Sequence, residues 1–306
     1  MIKDLHIGDK LTQACICKVS KIGTGSNGAP FARGVLEDKS GSIPFICFDA
    51  ANISKLKEIE ISGIFMISGT VESSKFDAGG LQISIKRFND ILPEDDVSNL
   101  MPEGQFNKKE YEEKLQGFIR MVKTPALAMI LKNIFQGEFL ERFYKNPAGK
   151  QYHHAYLGGL LEHSVDVCQL ALSMALTMDN VDKDLVIAGS LLHDIGKIRE
   201  ISQGYGFTYL DEGRFLGHVA MSALMVQEAA TKLHMQSGSI EQLLHIILSH
   251  HGDKEKGSPV DCSTREAFIV HYADEINSIM NQFDTYDGKD KWEYNKMLKR
   301  NILQKN

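Results

Sequence analysis

The chain has 306 residues, of which 43% are hydrophobic and 24% are charged, and its net charge is −6. This composition is typical of a globular protein, and the length predicts two domains. Residues 1–92 have a net charge of +1 and the remaining residues have a net charge of −7. Neither part has the bulk basic charge of a non-specific nucleic-acid binder, so a nucleic acid would have to bind through local grooves, aromatic stacking and metal ions.

The sequence carries no targeting signal that we recognise. Its N-terminus, MIKDLHIGDK, is not a basic segment followed by an apolar run. No stretch approaches the roughly 18 apolar residues that a membrane span needs. The five cysteines are scattered and odd in number, so they predict no disulfide framework. We therefore expect a cytoplasmic protein.

The first 92 residues have the pattern of a small β-barrel. Strand-like runs are predicted at Leu11–Val19, Phe31–Leu36, Ile43–Phe48, Ile64–Val71 and Leu81–Phe88, with a short helical segment at Asn52–Glu58. This order of elements, together with the stretch ARGVLEDKSGSIPFICFD, resembles an OB-fold, a closed barrel that often binds single-stranded nucleic acid. Phe31, Arg33 and Phe48 are candidates for stacking on bases or gripping phosphate. The alternative is that these side chains point into the barrel.

Residues 93–110 contain two prolines and few apolar side chains, so they predict a linker, with an ordered surface loop as the alternative. From residue 111 onward the apolar spacing is helical. Helices are predicted at Tyr111–Val122, Ala126–Tyr144, Leu160–Met178, Asp184–Leu192, Arg214–Leu233, Ile240–His250, Arg265–Gln282 and Lys291–Leu303, with a short β-hairpin at Glu200–Leu210. The predicted fold is thus multi-domain: a five-stranded OB-like barrel at 1–92 and an all-α domain at 111–306. The helices at 111–150 are a candidate subunit interface.

The histidines cluster in the helical part, since only one of the 11 precedes residue 153. His193 and Asp194 are adjacent and offer an imidazole nitrogen and a carboxylate, whose two oxygens can bridge two cations. Gly196 would let the backbone turn sharply after the helix. Lys197 would place a positive charge where a phosphate oxygen would lie. The segment therefore predicts a metal site suited to phosphate chemistry.

Five further metal-binding side chains lie on, or at the end of, other predicted helices: His163, His218, His250, His251 and Asp274. Converging helices can build a closed cage. Imidazole and carboxylate ligands suit Mn, Fe, Co or Zn, and the lack of thiolates argues against a structural zinc finger. Two cations would activate a shared water and neutralise charge on a phosphodiester under attack. We expect Asp194 and Lys197 to be catalytic.

The order of these ligands, and the HDxGK motif at 193–197, resembles the HD-domain metal-dependent phosphohydrolases in their two-metal version. The resemblance implies that His163, His193, Asp194 and Asp274 hold the first metal. It implies that Asp194 bridges to a second metal, whose other ligands are His218, His250 and His251.

A finer resemblance covers nearly the whole chain. An OB-like domain followed by the segments HHAYLGGLLEHSVDV, LLHDIGKI, FLGHVAM and HIILSHHG is similar to the YhaM family of bacterial 3′→5′ exoribonucleases. It implies single-stranded RNA as substrate, with single-stranded DNA as a further candidate, and Mn²⁺ or a similar ion. His154 is a candidate substrate contact. The alternatives are a phosphohydrolase of nucleotides or cyclic dinucleotides, a di-iron oxygenase on the same scaffold, and a non-catalytic nucleic-acid-binding adaptor.

Overall fold

The computed structural model describes residues 1–25, 28–59, 63–74, 80–92, 95, 97–100, 104, 106–149, 154–203, 207–284, 291–295 and 298–303. The chain divides into two compact units, Met1–Pro102 and Glu103–Asn306. No helix among the described residues is both long and apolar enough to cross a membrane.

The first unit is a closed five-stranded barrel, which confirms the predicted fold. Its strands are β1 (Lys10–Thr24), β2 (Pro30–Asp38), β3 (Gly41–Cys47), β4 (Gly63–Ser73) and β5 (Leu81–Asp90), and α1 (Ala50–Leu56) lies between β3 and β4. The strands pair in the order β1-β2-β3-β5-β4, and β3 runs parallel to β5 while the other pairs are antiparallel. This arrangement is OB-like, as the sequence indicated.

Alternation along the strands separates the barrel core from its outer face, because successive strand residues point to opposite sides. Leu36, Phe45 and Ile83 are almost fully buried in the core. On β2 and β3, the paired residues Ala32 and Cys47 also face inward. The residues on either side of them, including Arg33, therefore lie on the outer face.

Part of the predicted linker packs onto the barrel. Residues 98–100 form a short 3₁₀ turn in which Leu100 is buried. The Asn99 side-chain amide donates to the Ala14 carbonyl at 2.7 Å, and the Asn99 carbonyl accepts from the Lys39 backbone N–H at 2.9 Å. These residues are thus ordered by β1 and by the end of β2.

The second unit is helical. Its helices are α2 (Lys108–Met121), α3 (Pro125–Ile134), α4 (Gly137–Phe143), α5 (Gly159–Leu176), α6 (Lys183–Leu192), α7 (Lys197–Glu200), α8 (Asp211–Lys232), α9 (Gly238–Ser249) and α10 (Arg265–Asp284). α6 is buried from Leu185 to Leu192 and therefore runs through the centre of the unit. Its C-terminal end carries the His193-Asp194 pair into the interior.

Three predictions for this unit need correction. The single helix predicted at Ala126–Tyr144 is two helices, because the chain turns at Phe135–Gly137 and Gly137 has a φ of 55°. The helix predicted at Lys291–Leu303 is wrong: residues 292–295 and 300–303 are two antiparallel strands, β6 (Trp292–Asn295) and β7 (Arg300–Leu303). The hairpin predicted at Glu200–Leu210 is reduced to an isolated bridge between Ile201 and Tyr209, and residues 204–206 lie outside the described part.

Candidate metal centre

Five helices bring the seven candidate ligands together. His163 lies on α5, the His193-Asp194 pair follows α6, and His218 lies on α8. His250 and His251 follow α9, and Asp274 lies on α10. Their donor atoms form three overlapping groups, each with all atoms within 4.8 Å of one another: His163, His193, Asp274; His193, Asp194, His250; and His218, His250, His251.

The two oxygens of Asp194 face different histidines. Oδ2 lies 3.4 Å from Nε2 of both His163 and His193. Oδ1 lies 3.4 Å from His218 Nε2 and 3.7 Å from His250 Nε2. This is the arrangement that a carboxylate bridging two cations would have. Asp274 completes the first side, with its Oδ1 at 3.2 Å from His163 Nε2.

On four of the histidines Nδ1 contacts an oxygen acceptor outside the ligand set, so Nε2 is the ring nitrogen that faces the cluster. Nδ1 of His193 and of His250 each lie 2.7 Å from a backbone carbonyl oxygen. Nδ1 of His163 contacts an Asn277 side-chain oxygen at 2.7 Å, and Nδ1 of His218 contacts Glu200 at 3.1 Å. An acceptor at Nδ1 holds a proton on that nitrogen, so Nε2 is the atom that would ligate a metal, which would displace any proton there.

The donor set fits divalent cations by two measures. Ligand atoms around an ion with bonds of about 2.0–2.2 Å lie roughly 2.8–3.6 Å apart in tetrahedral or octahedral geometry. The contacts of Asp194 with His163, His193 and His218 fall in that range. In addition, Asp194 Oδ1, His250 Nε2 and His251 Nδ1 are buried with no hydrogen-bond partner among the described residues. Buried polar atoms are rarely left unpaired, and two of these three point into the cluster.

The electrostatics of the cluster favour positive charge. Burial alone would lower the pKa of His163, but Asp194 and Asp274 raise it to about 9. Burial would raise the pKa of Asp194, but the Lys197 ammonium and His193 hold it well below its usual range. The two carboxylates are therefore ionised and create a potential suited to cations. Burial lowers the pKa of His250 far below its ordinary value, which keeps that ring neutral and able to ligate.

Lys197 lies beside the cluster, as its place in the sequence suggested. Its ammonium contacts Asp194 Oδ2 at 2.5 Å, and the side chain is 9% exposed. Burial alone would lower the pKa of Lys197, but Asp194 raises it, so the positive charge is retained. A fixed cation next to the ligands can stabilise added negative charge on a phosphate.

Gly196 has a different role from the predicted one. Its φ of −61° and ψ of −22° are ordinary helical values, so the turn does not need a glycine. A Cβ atom there would lie 2.3 Å from the His218 carbonyl oxygen. The residue must therefore be small because α8 crosses at this point. Gly217 is the position that needs conformational freedom, since its φ of 72° and ψ of 152° break α8 immediately before His218.

Two supporting residues were missed in the sequence. Asn277 Oδ1 contacts the ring nitrogens of His163 and His154, at 2.7 and 3.0 Å. Glu200 accepts from both the backbone N–H and Nδ1 of His218, each at 3.1 Å. Asn277 lies one helical turn after Asp274 and so shares its face, which is the one signal that could have pointed to it.

His154 lies inside the protein, next to the candidate ligand His163. Its side chain is 2% exposed. Its Nδ1 contacts the Tyr156 hydroxyl at 2.9 Å and Glu162 at 3.1 Å, while Nε2 contacts Asn277. His154 thus contacts Asn277, which in turn contacts His163, and its role as a substrate contact stays a prediction.

The barrel residues Phe31, Arg33 and Phe48 line one cavity of about 300 Å³ on the outer face. The alternative, that they point into the core, does not hold, because Phe48 is 58% exposed and the residues between them fill the core. Glu72 and Gln82 complete the polar part of this cavity.

Comparisons with known proteins agree with the helical unit. Residues 160–278 match the family model of the HD domain. Among solved structures, the chain is similar to the mitochondrial single-stranded DNA-binding protein Rim1 of S. cerevisiae, with 12% identity and a TM-score of 0.22 over 28% of this chain and 96% of that chain. It is also similar to the second OB-fold domain of replication protein A from Methanococcus maripaludis, with 19% identity and a TM-score of 0.23 over 31% of this chain and 97% of that chain.

All seven candidate ligands lie inside the matched segment, which runs from the start of α5 to Ser278 in α10. Residues 160–278 are thus similar to the HD domain, and they contain the whole candidate metal centre.

Proposed function

We propose that the protein is a metal-dependent 3′→5′ exoribonuclease that hydrolyses phosphodiester bonds of single-stranded RNA, with single-stranded DNA as a second substrate. The observation that carries this proposal is the position of Asp194, whose two oxygens face two groups of histidines while Lys197 holds a positive charge beside them. Divalent cations, Mn²⁺ foremost, would supply Lewis acidity and activate water when bound there. His163, His193, Asp194 and Asp274 would hold one ion, and Asp194, His218, His250 and His251 the other.

The burial of the ligands supports exonucleolytic rather than internal cleavage. His163, His193 and Asp194 are at most 3% exposed, while Asp274 and His218 are each 17% exposed. Substrate must therefore approach from the side of Asp274 and His218. Ligands that are this deeply buried are more accessible to the end of a strand than to its middle. The 3′→5′ direction follows the YhaM-like pattern of the segments around these ligands.

The barrel supports a polymer as substrate. Its outer cavity combines two aromatic rings with an arginine, and base–aromatic stacking contributes about 1–3 kcal/mol per base. Such a module gives affinity for single strands without the bulk basic charge that this chain lacks. A phosphohydrolase acting on mononucleotides or cyclic dinucleotides has no evident need of it.

The test is to incubate the full chain and Mn²⁺ with one RNA sequence prepared in three forms: labelled at the 5′ end, labelled at the 3′ end, and circular. We expect a 5′-labelled strand to give a descending ladder on a sizing gel, and a 3′-labelled strand to lose its label at once. A circular form of the same RNA should survive. Cleavage of the circle, or early release of the 5′ label, would contradict the proposal. Intact RNA beside hydrolysed mononucleotides or cyclic dinucleotides would favour the small-molecule alternative.

A further inference from the structure

We propose that the barrel cavity selects nucleobases that carry an exocyclic amino group, adenine, cytosine and guanine, over uracil and thymine, and that Glu72 makes the selection. This inference rests on the proposed function, since it assumes that the barrel engages single strands. The inference goes beyond the proposed function because it assigns a base preference to the cavity. Stacking alone would tolerate every base.

Two aromatic rings line the cavity. The register of β2 and β3 pairs Ala32 with Cys47, so the neighbouring residues Phe31 and Phe48 lie side by side on the outer face. Both line the cavity, whose volume of about 300 Å³ is at the small end for ligand sites. Phe31 is held against β1, because its ring packs directly over Gly23, where a Cβ atom would lie 3.3 Å away.

Glu72 and Gln82 form the polar part of the cavity. They are directly paired across β4 and β5, and the Gln82 side-chain amide donates to Glu72 Oε1 at 2.8 Å. Gln82 is only 4% exposed although it lies on the outer side of the strand. Its amide therefore fixes the orientation of the carboxylate. A carboxylate offers about four acceptor positions, and this bond uses one of them.

A carboxylate in this position cannot serve the phosphate backbone, because the two would repel each other. Its complement is a donor, and cytosine, adenine and guanine present exocyclic amino groups as donors. Uracil and thymine present only the ring N3–H, which lies between two carbonyl oxygens. A carboxylate that accepts from N3–H meets one of those oxygens at close range and is repelled by it, so these two bases are disfavoured. Arg33 supplies a cation to the same cavity and can serve the backbone.

The inference is tested by equilibrium binding of short labelled oligomers to the full chain with EDTA present, so that the RNA stays intact. We expect oligo(A) and oligo(C) to bind about tenfold more tightly than oligo(U), as one good base-edge contact provides. Glu72→Gln keeps the size of the side chain but replaces an acceptor by a donor, so this ratio should fall to near one. Glu58→Gln, at an exposed site on the same unit outside the cavity, is the matched control and should keep the ratio.

A second variant separates stacking from edge recognition. Phe48→Ala should weaken binding of all three oligomers by a similar factor and leave their ratio unchanged, because stacking tolerates every base. Equal binding of the three oligomers to the wild type, or a ratio that survives Glu72→Gln, would overturn the inference. So would the absence of binding to all of them. The ladder assay on the same preparation then decides separately whether the exoribonuclease proposal stands.

Discussion

Asn277 Oδ1 lies 2.7 Å from His163 Nδ1, and this contact orients the ring of His163. With Nδ1 directed at Asn277, Nε2 faces Asp194 and Asp274, where a metal ion would take the place of any proton on Nε2. The same oxygen contacts His154 Nε2 at 3.0 Å, so a buried chain of three side chains supports one candidate ligand.

We predict that Asn277→Ala weakens Mn²⁺ binding by about 10- to 100-fold, the usual effect of removing a partner that orients a metal ligand. Asn277→Asp keeps an acceptor oxygen in the same place and should stay within a few fold of the wild type. Isothermal titration calorimetry of the metal-free protein measures both, with circular dichroism as the check on folding. Equal affinities for the wild type and the alanine variant would contradict the orienting role.

Glu200 should act in the same way on the other side of the centre. It accepts from both the backbone N–H and Nδ1 of His218. Glu200→Ala should therefore weaken the binding of one Mn²⁺ per chain and leave the other near its wild-type affinity, because His218 belongs to only one of the ligand groups. A titration that loses both ions, or neither, would show that the two groups are not separate in this way.

Asp166 should make stability depend on pH. Burial raises its pKa from 3.8 to about 6 in the folded protein. Between those values the folded state keeps a proton that the unfolded chain has lost, so the contribution of Asp166 to stability is present below about pH 4 and lost as the pH rises through about 6. Asp166→Asn removes this titration, while its amide oxygen can still accept from the Tyr111 hydroxyl.

The free energy of unfolding of the wild type should thus fall relative to that of the Asp166→Asn variant between about pH 4 and about pH 6. Urea denaturation of both proteins at several pH values gives this difference. A difference that stays constant across the range would contradict the assignment.

The aromatic cluster at α4 should dominate the stability of its part of the helical unit. Phe143 is fully buried, and its ring centroid lies 5.0 Å from that of Phe135 and 6.3 Å from that of Phe139. Phe143→Ala should lower the free energy of unfolding by about 3–5 kcal/mol. Phe215 is 86% exposed, so Phe215→Ala should change it by no more than about 0.5 kcal/mol. Similar midpoints for the two variants in thermal melts would contradict this packing.

The sequence was sufficient to group the seven candidate ligands, because histidines and aspartates in a fixed order at helix ends are rare unless they meet. It could not single out Asn277 or Glu200, whose roles depend on contacts between α10, α7, α5 and α8 rather than on residue type. The burial of His154 could not be predicted for a related reason. It depends on packing against Asn277 and Glu162, which a position before a helix does not reveal.

The fold was predicted well where the periodic pattern of apolar residues was long and unambiguous, and poorly where the pattern covered only a few residues. The barrel strands alternate over seven or more residues and were recovered in order. At 291–303 the apolar residues are few, and their spacing fits either a helix or two strands. The two segments form strands because they pair with each other, from Trp292 with Leu303 to Asn295 with Arg300. This pairing joins separate segments, so no local pattern contains it.

The central claim is that Asp194 joins two cation sites at which phosphodiesters are hydrolysed. Its most direct test combines metal counting with the RNA ladder assay on the wild type, on Asp194→Ala, and on Asp211→Asn as an exposed control. We predict two Mn²⁺ per chain and a full ladder for the wild type and the control. Asp194→Ala should remain folded, lose bound metal and leave the RNA intact. Wild-type hydrolysis by Asp194→Ala would contradict the account.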